Sequence, residues 1–339
     1  MLAVLCTGFE EPISIEQVTL PPLGDHDVLL RTDASGVCHT DLSVSSGRGG
    51  ARTLPMVLGH EGAGTVLKIG KSVTRCKPGD RAVVSWAPSC GVCWHCIRHE
   101  AQHCDQRGDV VTSCYVLRND NTKISLLAGL GTFAEMMQVS ELSVVPVQTD
   151  LPAEQLAMIG CGVTTGVGSV LWTAGVTPGS TVAVFGCGGV GLSAVQGARI
   201  AGAVRIFAVD PIASKRDIAV KFGATDVIDP AQGDVVEQLI AATCGRGVDY
   251  ALEVTGIPEV VLQAFSAVRK HGTAVAVGMP KHGSTVSVPL VPLFMQEKRL
   301  IGSFYGSAQV REHFPLLVQF AERGILDLES MISRRIGLG

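Results

Sequence analysis

The sequence predicts a two-domain α/β protein, with a mainly β part at the N-terminus and a doubly wound parallel sheet in the middle. Three observations predict it. The chain has 339 residues, beyond the size at which one hydrophobic core usually stops growing. Apolar residues make up 46% and charged residues 17%, so a large core can be buried and global disorder is excluded. Strand-like and helix-like stretches alternate through the middle of the chain, the pattern of a parallel sheet with crossover helices.

Taken in order, the first 150 residues are rich in Val, Thr and Gly. There, residues 28–35 (VLLRTDAS), 65–70 (TVLKIG), 81–86 (RAVVSW) and 141–147 (ELSVVPV) read as short strands. Six further strands follow: 181–185 (TVAVF), 204–209 (VRIFAV), 226–228 (DVI), 250–254 (YALEV), 273–277 (TAVAV) and 300–304 (LIGSF). Helical stretches at 192–200, 212–222, 235–242 and 258–269 lie between most of them, and another covers 310–323. From Gln155 to Ala198 no residue is charged. Gly160, Gly162, Gly166, Gly168, Gly175, Pro178 and Gly179 interrupt that run, so no twenty-residue apolar helix is expected. The expectation is a buried helix, a turn and a central strand with both faces covered. The N-terminus lacks a basic stretch before an apolar core, and net charge is only −4, with no basic run. These features point to a soluble, cytoplasmic protein with neither nucleic acid nor membrane as partner.

Gly186-Cys187-Gly188-Gly189-Val190-Gly191 matches G-x-G-x-x-G directly after an apolar strand and before a helix. Gly186 would make the tight turn, Gly188 would admit a pyrophosphate to the backbone, and Gly191 would let helix and strand pack closely. The helix N-terminus then offers unpaired N–H groups and a positive dipole end to phosphates. Asp210 ends the next strand, nineteen residues after Gly191, where an acid accepts the adenosine ribose hydroxyls and repels a 2′-phosphate. NAD is therefore expected over NADP. Lys215 would assist at the ribose, and Arg216 keeps NADP as the alternative. A helix cap before Pro211 is the structural reading of Asp210.

Cys90, Cys93, Cys96 and Cys104 fall within fifteen residues. Four thiolates on one polar loop fit a closed, structural zinc site, whose binding energy would fold that loop. Unligated surface thiols or an iron–sulfur cluster are the alternatives. Cys38 in GVCHTD, His60 in GHEGAG and Cys161 in GCGVTTG are far apart, and spacing alone does not join them.

These five motifs stand in the order found in zinc-containing medium-chain alcohol dehydrogenases, which the chain resembles over nearly its whole length. The long segment between Cys104 and Phe133 is similar to the dimeric alcohol dehydrogenases and the glutathione-dependent formaldehyde dehydrogenases. The resemblance implies a GroES-like β-barrel catalytic domain over 1–162 and 305–339, with a Rossmann domain over 163–304. It implies two zinc ions per chain, with Cys38, His60 and Cys161 as ligands of the catalytic one, a set the alcohol dehydrogenases exemplify. It places Glu61 behind the metal, Asp41 as a partner of the metal site, Thr40 on the substrate oxygen and His39 on the pyrophosphate. Gly189 belongs to the phosphate loop. Thr165 and Val190 would press on the nicotinamide, and Trp86 would form a bulky wall of the substrate pocket.

The reaction implied is reversible hydride transfer from a primary or aromatic alcohol to NAD, in a homo-oligomer, a dimer rather than a tetramer. Ser43 stands where many relatives carry a relay histidine, and it cannot titrate near neutral pH. Relatives also continue beyond ISRRIGLG through a helix and strand that supply an arginine to the pyrophosphate. A thiol-adduct formaldehyde dehydrogenase, with Arg107 as an anion contact, and a truncated, non-catalytic NAD- and zinc-binding remnant are the competing readings.

Overall fold

A computed structural model describes residues 1–48 and 53–338. The chain divides into two compact units, Met1–Cys161 with Gln309–Gly339, and Gly162–Ala308.

In the first unit a five-stranded sheet runs in the order Val144–Pro146, Arg81–Val84, Glu61–Ile69, Asp27–Gly36, Met136–Ser140. Val28 and Leu30 alternate inward with Val66, Val84, Met137 and Val139 to form its core, the period-2 pattern of a half-buried sheet. Asp27–Gly36 pairs antiparallel with Glu61–Ile69 so that Gly36 lies opposite Glu61. Cys38, two residues beyond one strand end, and His60, the residue before the other, are thereby brought together. A second five-stranded sheet holds Ser14–Gln17, Leu2–Cys6, Met56–Val57, Lys123–Leu126 and Tyr115–Leu117. The sequence motifs gave none of its strands, because they are short and Ser14–Gln17 buries neither face fully. Residues 141–143 of the expected strand 141–147 instead form a 3-10 turn, which Ser140 caps by accepting from the Leu142 N–H.

In the second unit six parallel strands run in the order Asp226–Ile228, Arg205–Val209, Thr181–Phe185, Val248–Glu253, Val268–Ala276, Arg299–Gly302. Numbered along the chain this is 3-2-1-4-5-6, the Rossmann order, whose switch point lies beside the first strand. Phe185, Phe207, Phe265 and Leu239 fill the core on one side of the sheet.

The uncharged stretch forms the expected buried helix, turn and inner strand, but the helix is longer than expected. Residues Ala153–Ala174 form one continuous 22-residue helix, long and apolar enough to cross a membrane by length and composition, with 67% of its apolar window buried in the protein. Its glycines are packing sites, not breaks. A Cβ at Gly166 would lie 2.2 Å from the Val190 carbonyl oxygen, and one at Gly168 would lie 2.6 Å from that of Gly306. Buried contacts outweigh the roughly 1 kcal/mol that each glycine costs a helix. The helix widens into π-turns at Ile159–Val163 and Ser169–Ala174, a distortion that recurs at functional sites.

Candidate active site

The residues around Cys38 are held by one carboxylate. Cys38 caps the helix His39–Ser45, and its N–H donates to Asp41 Oδ2 at 3.0 Å. Asp41 Oδ1 accepts from the Gly59 N–H at 2.9 Å and lies 3.5 Å from His60 Nδ1. Asp41 is 3% exposed. A single buried acid thus fixes the backbone on both sides of the site and faces the imidazole. Gly59 has φ +89°, and a Cβ there would meet the Phe133 amide nitrogen at 2.6 Å, so the turn that delivers His60 requires glycine. Gly36 has a second reason: a Cβ would sit 2.1 Å from Glu61 Oε2.

Cys161 arrives from the π-turn. Gly160 beside it lies against the Val84 carbonyl oxygen, 3.0 Å from an ideal Cβ. One ligand atom from each of Cys38, His60, Glu61 and Cys161 lies within 4.8 Å of the others. Cys38 Sγ is 3.6 Å from Thr40 Oγ1. The Cys161 hydrogen bond pulls the Cys38 thiol down to about 3, aided by His60 and opposed by burial. Cys161 is pushed well above the ordinary thiol range by that bond and by burial. Burial opposes protonation of His60, yet Asp41 and Cys38 outweigh it and lift the imidazole to about 10. Burial, then the Cys38 charge, raises Glu61 to about 8. The cluster favours a positive charge at its centre. Two thiols and an imidazole backed by a carboxylate fit zinc.

The four-cysteine loop is self-contained. Its Sγ atoms also lie within 4.8 Å of one another. The N–H groups of Val92 and Cys93 donate to Cys90 Sγ at 3.4 and 3.3 Å, and that of Cys90 donates to Cys104 Sγ at 3.3 Å. Those two N–H donors draw Cys90 down to about 7 against burial. Such donors stabilise thiolates, and four thiolates at this spacing fit a closed tetrahedral ion. Spacing gave no hint of the loop's anchors. Arg75 donates to the Ser89 and Cys90 carbonyls at 3.1 and 3.0 Å, and Arg311 donates to the Ser89 carbonyl.

In the second unit Gly186 takes φ +99°, and a Cβ at Gly191 would lie 1.8 Å from the Gly186 carbonyl oxygen. At Gly188 and Gly189 a Cβ would meet nothing within 4 Å. The backbone of the loop is thus open where a pyrophosphate has to approach. Gly188 caps the helix Gly189–Ile200. Asp210 is 4% exposed. Its Oδ2 accepts from the Cys187 N–H at 2.8 Å and its Oδ1 from the Ile212 N–H at 2.9 Å, so the acid is tied to the glycine loop as well as capping its own turn. Lys215 Nζ stands 4.0 Å from Asp210 Oδ2. The helix Thr164–Gly168 packs on the start of the Gly189–Ile200 helix through Gly166, next to Thr165, where a Cβ would lie 2.2 Å from the Val190 carbonyl oxygen.

The remaining candidates are dispersed. His39 is exposed, and Ser43 is half-buried one turn beyond Thr40 on the same helix. Trp86 packs against the core of the first sheet. Arg107 lies over the Trp86 ring at 5.3 Å, a cation–π contact.

Comparison with known proteins agrees with these features. Residues 24–149 match the model of the alcohol dehydrogenase GroES-like domain, and residues 189–323 match that of the zinc-binding dehydrogenases. The chain is 35% identical over 336 residues to alcohol dehydrogenase 1 of Pisum sativum, covering 96% of this chain and 88% of that protein. It is 34% identical over 348 residues to S-(hydroxymethyl)glutathione dehydrogenase of Saccharomyces cerevisiae, covering 98% and 89%. Among solved structures, benzyl alcohol dehydrogenase from Acinetobacter calcoaceticus superposes with a TM-score of 0.90 at 31% identity, covering 97% of this chain and 91% of that one. A zinc-binding dehydrogenase from Sinorhizobium meliloti 1021 bound to NADP gives 0.82 at 30% identity, covering 99% and 92%. The chain belongs to the zinc-containing medium-chain alcohol dehydrogenase family, with a GroES-like domain and a Rossmann domain.

Proposed function

We propose that the chain is an NAD-dependent zinc alcohol dehydrogenase that interconverts a primary or aromatic alcohol and its aldehyde. The observation that carries this reading is the Cys38–His60–Cys161 set, with Cys38 half-buried and the other two buried. Three protein ligands of this kind leave a zinc coordination position for substrate, whereas the four-cysteine loop offers a closed set. When bound, zinc supplies a Lewis acid for the alcohol oxygen and NAD accepts the hydride. The protein's own part is positional. Asp41 holds the Cys38 and Gly59 backbone and faces His60. The Thr40 hydroxyl, beside Cys38, accepts the alcohol's proton in hydrogen bonding. From there the proton would pass toward the ribose 2′-hydroxyl and solvent, and Ser43, one turn on, cannot titrate near neutral pH to receive it. Gly186, Gly188 and Gly189 and the N-terminus of the Gly189–Ile200 helix hold the pyrophosphate, and Asp210 holds the ribose. Two zinc ions per chain and a homodimer complete the proposal.

The test is NADH formation with a panel of primary and aromatic alcohols, run beside zinc content per chain. Turnover with about two zinc ions per chain, from one three-ligand and one four-ligand set, supports the reading. Turnover of formaldehyde only with an added thiol would replace it with the thiol-adduct dehydrogenase. Arg107, already stacked on Trp86, gives that second reading no committed anion site.

A further inference from the structure

The strand ends beside Asp210 carry a second acid in the same setting. The second and third strands of the sheet both end in Asp-Pro, at Asp210-Pro211 and Asp229-Pro230. The strands are neighbours, with Val209 opposite Ile228, so the two aspartates follow at the same level at the carboxyl edge of the sheet, where nucleotides bind. Arg216, on the helix Ala213–Phe222, connects them. Its Nη1 donates to the Asp210 carbonyl oxygen at 2.6 Å, and its Nη2 pairs with Asp229 Oδ2 at 2.9 Å. Both side chains of the pair are largely buried, at 14% and 21% exposure. Asp229 Oδ1 is also committed, accepting from the Ala231 N–H at 2.9 Å. The guanidinium is held from two directions.

An arginine near this strand end is the group that accommodates a 2′-phosphate in NADP-binding relatives of the fold. Here the arginine is present, but both of its terminal nitrogens are engaged, one by Asp229 and one by a backbone carbonyl. We propose that Asp229 is a specificity-determining residue. By holding Arg216 it withholds a guanidinium that would pair with a 2′-phosphate, a barrier to NADP separate from the repulsion by Asp210. The two barriers act on the same phosphate and are therefore coupled. Removing Asp210 alone lifts the repulsion and leaves Arg216 captive. Removing the Asp229 charge alone frees Arg216 beside an acid that still excludes the phosphate.

This inference rests on the reading of Asp210 as the ribose acid. Its test is equilibrium binding of NADPH and NADH, followed by nucleotide fluorescence, so no turnover is needed. Asp229→Asn keeps an oxygen for the Ala231 cap, removes the charge and sets an amide donor against the Arg216 guanidinium. The expected order of NADPH affinity is wild type and D229N lowest, D210G higher, and D210G/D229N higher again by about ten- to a hundredfold, the worth of a charge-assisted hydrogen bond. Adding Arg216→Gln to the double variant should abolish that last step, while Arg216→Gln in the wild type should leave NADPH affinity unchanged. A double variant that gains nothing over D210G, or a gain that survives Arg216→Gln, overturns the role of Asp229. A D210G protein whose NADH and NADPH affinities both equal those of the wild type instead overturns the reading of Asp210. Circular dichroism of each variant separates these outcomes from misfolding. If D229N is unfolded, the Arg216→Gln step in the D210G background decides: a captive arginine predicts no loss of NADPH affinity there, and a loss shows Arg216 was already available.

Discussion

The two cysteine-bearing clusters of the first unit use the same donor atoms in opposite ways. The loop from Cys90 to Cys104 takes all its ligands from one short segment and turns its large apolar residues outward, with Val92 76%, Trp94 56% and Ile97 64% exposed. It has almost no core of its own, so an ion and a few arginine anchors must hold it. The Cys38–His60–Cys161 cluster draws its ligands from three separate places, each on an element already fixed by the packed barrel. There the protein holds the geometry before any ion binds, and ligand energy is available for chemistry instead of folding.

The largest test of that contrast is a pair of substitutions. Cys38→Ser should abolish turnover, by at least about a thousandfold, since the Lewis acid supplies several kcal/mol of transition-state stabilisation. Its thermal midpoint should stay close to the wild type. Cys93→Ser should do the reverse in kind, lowering the midpoint sharply and zinc content from about two to about one per chain. Calorimetry, metal analysis and initial rates on both variants decide. Equal loss of stability in the two would erase the distinction between a framework site and a folding site.

A smaller effect is expected from the supports. Asp41→Asn keeps the volume and an acceptor, but it sets an amide donor against an N–H and removes the charge behind His60. Loss of such a partner commonly costs ten- to a hundredfold in metal affinity or activity. Arg75→Met withdraws the donors to the Ser89 and Cys90 carbonyls, while Arg311 still reaches Ser89. That should cost about 1–3 kcal/mol in stability and speed chelator removal of the loop ion, with kcat nearly unchanged. If Asp41→Asn lowers the thermal midpoint more than Arg75→Met and leaves kcat alone, the assigned roles are reversed.

The same contrast explains what the sequence revealed. The loop cluster was legible because its ligands are local, and the glycine motif was legible because it sits between a strand and a helix that periodicity finds. The strand Thr181–Phe185 matches the expected bounds, since both faces are covered and the apolar run has sharp ends; Asp226–Ile228 matches them too, although it lies at the sheet edge with only Ile228 buried. The dispersed cluster could be joined only through the resemblance. What unites it is the register that sets Gly36 opposite Glu61, a long-range pairing that no short window contains. The length of the helix over 153–174 is hidden for a related reason. Glycine is a helix breaker in solvent, but where a neighbouring backbone comes within 2.2 Å of its missing Cβ, as at Gly166, it is what lets the helix pack. Arg75 and Arg311 left no motif at all, and the pairing of Arg216 with Asp229 left almost none. The repeated Asp-Pro at two strand ends was the one local sign of the last.

The smallest expected effect concerns the helix that backs the loop. Val310–Glu322 reaches the cysteine segment twice, through Gln309 to the His99 carbonyl and through Arg311 to the Ser89 carbonyl. His313 lies in its first turn, 8% exposed, with Nδ1 accepting from the Gln309 N–H at 3.0 Å. Burial pushes this imidazole down to about 4 from 6.5, so it is neutral in the folded protein. Below about 6.5 the unfolded chain takes up a proton that the folded chain refuses. The stability His313 contributes is therefore whole above that pH and is lost as pH falls through about 4, to a total of at most about 3 kcal/mol. His313→Gln retains a polar side chain and removes the titration. Between pH 7 and pH 5 its thermal midpoint should fall less than that of the wild type, by roughly a few degrees. Because the helix anchors the loop and not the dispersed cluster, chelator release of the loop ion should quicken with acid more in the wild type than in the variant. Parallel pH profiles for the two proteins would show that His313 is charged in the fold, and that acid acts on the two clusters through their own ligands alone.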